Sequence, residues 1–182
     1  MMHFQVNTLE SAPEQSKPVL RELQETFGMI PNIAGTMSAS PVLIGGFLGI
    51  FQKVHSGTFN EAQIQTLLLT NAVTNACTWA VAFHTALALK EGLDSADVQA
   101  IRERRAPKDP QHAALSTLAR TVIEKRGHLD PADTQAFVDA GFRQDQVLEL
   151  LTVSAASTIT NYAGSITQPP LESMFEKHAW RA

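Results

Sequence analysis

Cysteine occurs once in the 182 residues, at Cys77, which excludes a disulfide framework within the chain and fits a reducing, cytoplasmic setting. Charge is scarce as well. Charged residues make up 18%, against about 25% in typical soluble domains, a deficit expected of a chain that buries surface between its own copies. The formal net charge of −4 and a pI near 5.8 argue against a nucleic-acid or acidic-membrane partner. No apolar run reaches the roughly 20 residues that span a bilayer. The opening MMHFQVNTLE lacks both the basic and the long apolar segment of a secretory signal. His55, His112, His128 and His178 are scattered, without His-x-x-x-His spacing or a second cysteine, so no metal site is expected. Gly45, Gly46 and Gly49 precede no Lys-Ser/Thr and follow no strand, so no phosphate loop and no bound cofactor are expected.

Period-two alternation is missing too, and helical periodicity takes its place. In PVLRELQETF, Val19, Leu20, Leu23 and Phe27 share one face, and Pro18 suits a first helical turn. A short helix is expected over 31–38. A longer one over 41–55 carries Val42, Leu43, Phe47, Ile50, Phe51 and Val54. Its Gly45-Gly46 pair costs roughly 2 kcal/mol against alanine, a cost that close backbone contact or an opening for a ligand would justify. Asn60 caps a helix bearing Ile64, Leu67, Leu68 and Val73. Further helices are expected from 94 or 95 to 104, 110 to 125, 131 to 141 and 143 to 161, with a short terminal helix in the tail. The cluster Arg102, Arg104, Arg105 and Lys108 reads as a solvated elbow. The spacing predicts one all-α domain over 1–182, with eight to ten helices and an irregular arm at 1–17.

The stretch from Asn75 to Gly92, NACTWAVAFHTALALKEG, carries the chemistry. It reads as one helix, with Asn75 as its cap and Gly92 as its end. Cys77 and His84 lie seven residues apart, close to two turns, and so leave the same face. The helix N-terminus and a nearby imidazolium would favour a thiolate at Cys77. The alternative is a small buried apolar cysteine and a hydrogen-bonded structural histidine. Trp79 and Phe83 are expected to line the core or a pocket rather than bind a cofactor.

Residues 27–47, FGMIPNIAGTMSASPVLIGGF, together with 75–93 resemble the AhpD-like, "peroxidase-related" branch of the carboxymuconolactone decarboxylase superfamily. The resemblance covers most of the chain. It implies an all-α AhpD-like bundle that packs into homo-oligomers: dimers, trimers or hexamers. The family pattern is a glutamate followed by Cys-x-x-Cys-x-x-x-His. Here Cys77 falls on the first cysteine, Ala80 on the second, His84 on the histidine and Gln65 on the glutamate. In the family the second cysteine attacks a hydroperoxide and the first resolves it. Ala80 has no thiol and Gln65 no carboxylate, so that two-cysteine cycle cannot run within this chain.

The resemblance therefore implies a one-cysteine peroxidase-related oxidoreductase, with Cys77, His84 and Gln65 as its catalytic residues and an external thiol as reductant. Trp79, Ala80, Phe83 and Glu61, one turn before Gln65, would form its substrate pocket. Two alternatives stand beside it. One is a non-redox ligand-binding or scaffold protein. The other is a decarboxylase acting on a small lactone acid, with His84 as acid or base.

Overall fold

A computed structural model describes residues 4–181, and all regular structure among them is helical. Nine α-helices run in order: α1 Lys17–Phe27, α2 Asn32–Met37, α3 Pro41–His55, α4 Glu61–Thr74, α5 Thr78–Lys90, α6 Ser95–Arg102, α7 Pro110–Glu124, α8 Pro131–Asp139 and α9 Gln144–Thr167. Two 3-10 turns, Glu14–Ser16 and Ser173–His178, flank them. The protein is the all-α bundle that the periodicity predicts.

Local chemistry sets the helix starts. Ser40 Oγ accepts the Leu43 amide ahead of Pro41. Asn60 Oδ1 accepts from the Gln63 amide at 2.9 Å while Gln63 Oε1 accepts from the Asn60 amide at 3.1 Å, a capping box that fixes the register of α4. That register matters because α4 is the central helix. Every residue from Ile64 to Val73 is buried, as befits an element packed against α5, α7 and α9 at once. Two apolar cores form around it. One gathers Leu20, Leu23, Met37, Leu69, Trp79 and Phe83, and the other Leu67, Leu115, Leu118, Phe137 and Leu150.

Four local expectations change. Asn75 closes α4 rather than opening α5, Ala76 turns the chain at φ +53°, and Cys77 becomes the N-cap of α5. Helix α9 runs to Thr167, six residues past Asn161, because Ala163 and Gly164 keep the buried face going. The segment before Pro18 is tied down: the Asn7 amide donates to the Gly35 carbonyl, and Ser16 Oγ donates to the Ser38 carbonyl. A side chain at Gly35 would meet the Asn7 carbonyl at 2.9 Å, so the close crossing requires glycine there. Arg102 leaves the expected solvated elbow and donates to Thr85 Oγ1 and to the His178 and Ala179 carbonyls, fastening the C-terminal segment across α5.

Candidate functional site

Because the turn between α4 and α5 is short, the two helices run side by side, and Gln65 faces His84. His84 Nδ1 donates to Gln65 Oε1 at 3.0 Å, with both residues buried. The amide oxygen only accepts, so this bond places the imidazole proton on Nδ1 and leaves Nε2 with a free lone pair. Burial, with His55 as a lesser contributor, pushes the His84 pKa down to about 3. The ring is neutral at physiological pH.

The pair sits in the wall of an apolar cavity of about 70 Å3. Aromatic rings form much of the remaining wall. Trp79 and Phe83 stack at 4.8 Å, Phe27 meets Phe83 edge-on at 5.5 Å, and Phe51 lies 5.8 Å from both Phe27 and Phe47. Glu172 accepts from Trp79 Nε1 at 2.9 Å and from the Asn32 amide at 2.7 Å, so the C-terminal segment holds one wall in place. Outside lies an open cleft of about 500 Å3 whose lining shares Phe27, Phe51, His55, Gln65 and Leu87 with the cavity and adds Glu61, Gln52 and Lys90. There His55 Nδ1 donates to Glu61 Oε1 at 2.9 Å. An inner apolar chamber thus adjoins a polar vestibule.

Cys77 is elsewhere. As the N-cap of α5 it has extended backbone angles, and it lines a different cleft with Thr78, Gly164 and Gln168. Seven residues of α-helix rise about 10 Å, and the expected Cys77–His84 pairing on one face does not form. Burial raises the thiol pKa and outweighs the opposing effect of the nearby Ala80 and Trp79 amides at the helix start. Cys77 is only 2% exposed. Among the other expected site residues, Trp79 and Phe83 line the cavity and Glu61 the vestibule. Ala80, fully buried, lines neither. His55 joins the site although its isolation in the sequence gave no metal or catalytic spacing. A usable signal existed: Phe47, Phe51 and His55 recur every four residues, so the histidine continues the apolar stripe of α3. Among the described residues, no group of three His, Cys, Asp or Glu side chains could hold a metal ion, and no helix is long and apolar enough to cross a membrane.

No family model and no curated protein sequence matches the chain. Solved structures do. An uncharacterised peroxidase-related protein from Ralstonia eutropha JMP134, described as an alkylhydroperoxidase AhpD core, superposes with a TM-score of 0.83 at 17% identity, over 95% of this chain and 93% of its own. A peroxidase-related protein from Silicibacter sp. TM1040 gives 0.78 at 16% identity, covering 96% and 92%. A variant of the debrominase Bmp8, in complex with 2,3,4-tribromopyrrole, gives 0.79 at 15% identity, covering 98% and 95%. Likeness at these identities is one of architecture. The chain has the AhpD-like fold of the peroxidase-related proteins.

Proposed function

We propose that this protein binds a small, largely apolar, ring-sized molecule in the inner cavity, hydrogen-bonded to His84, and that its function does not run through the thiol. The observation that carries this reading is the Gln65–His84 pair. It sits in the wall of a chamber lined mainly by aromatic and aliphatic side chains and leaves His84 Nε2 free to accept. A site of convergent apolar walls with a few fixed polar groups selects for shape and for a donor placed against them. The ligand class that follows is a small ring or short branched molecule carrying one O–H or N–H group. The tribromopyrrole complex of a protein with the same fold, a five-membered ring with one N–H, supports that chemical class.

The hydroperoxide-reducing reading has less support. Its thiol is buried, raised in pKa and lodged on another cleft, so neither an external thiol reductant nor a sulfenic acid enters the present reading. The lactone-acid decarboxylase reading requires burying a carboxylate in the chamber that already keeps His84 uncharged. The protein acts, in our reading, as a homo-oligomer through the exposed face of α9.

Calorimetric titration with phenol and toluene tests the binding site. Phenol binds about three- to tenfold tighter than toluene, the worth of one hydrogen bond. That difference disappears in His84→Leu and persists in Cys77→Ala. Equal affinities in the wild type, or loss of phenol binding in Cys77→Ala, overturn the reading. Reduction of cumene hydroperoxide that Cys77→Ser abolishes would restore the peroxidase reading.

A further inference from the structure

His55 and Glu61 stand where the vestibule meets the inner cavity, on different helices, 2.9 Å apart. A carboxylate only accepts, so Nδ1 of His55 carries the proton and Nε2 keeps its lone pair. A carboxylate fixing the tautomer of an imidazole whose other nitrogen is free is the arrangement of a general base. The surroundings add to it. The ring of Phe51 packs on His55 with centroids 4.4 Å apart, limiting its rotation. His55 is the last residue of α3, so its side chain stands at the helix end that faces the start of α4. Its side chain is 27% exposed, so the base meets solvent on one side and the apolar chamber on the other. His84, by contrast, is held neutral by burial and cannot take up a proton at ordinary pH.

We propose that the Glu61–His55 pair is the proton-abstracting centre of this protein, acting on a neutral, aromatic-sized substrate that spans cavity and vestibule. The inference rests on the reading of the cavity as a ligand site. In the step itself a C–H bond of the bound substrate breaks, its proton moves to His55 Nε2, and its electron pair stays with the substrate. Glu61 stabilises the imidazolium. The proton returns to solvent through the open side of the cleft. No oxidant, reductant or metal enters.

A generic proton-abstraction probe, 5-nitro-1,2-benzisoxazole, tests this on the intact protein. Loss of its ring C–H proton forms a nitrile and breaks the N–O bond, releasing a coloured nitrophenolate with no other reactant. Binding is read separately, by quenching of tryptophan fluorescence, since Trp79 lines the cavity. The expected result is quenching in the wild type and turnover at least a hundredfold above free imidazole at equal concentration. His55→Gln loses that excess in kcat while keeping the probe's dissociation constant. Glu61→Gln loses about tenfold, because the amide can donate to Nδ1 and reverse the tautomer. His128→Gln, which replaces an exposed histidine away from the site, changes nothing. Binding without excess turnover, or turnover that survives in His55→Gln, overturns this proposal and leaves the cavity reading standing. Absence of quenching overturns both.

Discussion

Keeping His84 uncharged ties the stability of the fold to pH. In the unfolded chain its pKa returns to about 6.5, whereas the folded value is about 3. The unfolded state therefore binds a proton that the folded state refuses, and stability falls as acid is added. The His84 contribution is complete above pH 6.5 and is lost progressively from there to pH 3, at most roughly 4–5 kcal/mol for a shift of this size. Urea midpoints measured across that range should fall steadily in the wild type and be flatter in His84→Gln. Cys77 makes a second residue-scale case. A Cβ at Gly164 would lie 2.8 Å from its sulfur, so α9 accepts the thiol only because residue 164 has no side chain. Gly164→Ala should destabilise by roughly 1–3 kcal/mol through overpacking. Cys77→Ala frees the space, so in the double variant much of that loss returns, and the coupling in a double-mutant cycle checks it. Here Cys77 fills the contact with Gly164, as a small apolar residue does.

Helix α3 has an unfilled deficit. Alanine at Gly45, Gly46 or Gly49 would meet nothing within 4 Å, so within one chain neither close backbone contact nor the cavity needs these glycines. Gly45→Ala should therefore raise the unfolding free energy by about 1 kcal/mol, read from denaturant curves at concentrations low enough to keep the chain monomeric. The same scale shows what the sequence could disclose. The amphipathic elements were legible because start signals and apolar spacing agree, as at Asn60 and Pro110. The start of α5 was not. Asn75 has a capping side chain, but the left-handed Ala76 breaks the helix just after it, a conformation alanine does not advertise. That two-residue shift made Cys77 the cap rather than a helical residue, and it lines a different cleft from His84. The Gln65–His84 contact followed once α4 and α5 were placed side by side. The His55–Glu61 pair, six residues apart, depends on the turn by which α3 meets α4, which the apolar spacing of either helix does not set.

At the scale of the whole molecule, the longest helix is incompletely covered. On α9, Leu148, Leu151, Tyr162 and Ile166 recur at helical spacing along one face and are 70%, 46%, 58% and 67% exposed. Burying an aliphatic or aromatic side chain completely contributes about 1.5–3 kcal/mol, so four partly exposed ones represent several kcal/mol held back within a single chain. A second copy is the partner that the low charge content favours. The face is apolar along nearly the whole of a 24-residue helix and can pair with itself about a two-fold axis. Sedimentation velocity at micromolar concentration should show a dimer or a larger closed oligomer. Leu151→Glu combined with Tyr162→Glu places carboxylates towards either end of the face, where pairing would bury them without partners. The expected product is a folded monomer with an unchanged helical spectrum. Its phenol affinity should match that of the oligomer, because the Gln65–His84 cavity is built within one chain. A wild type that sediments as a monomer removes α9 as an interface. A double variant that remains oligomeric moves the interface elsewhere, and the open glycine face of α3 is then the surface to test.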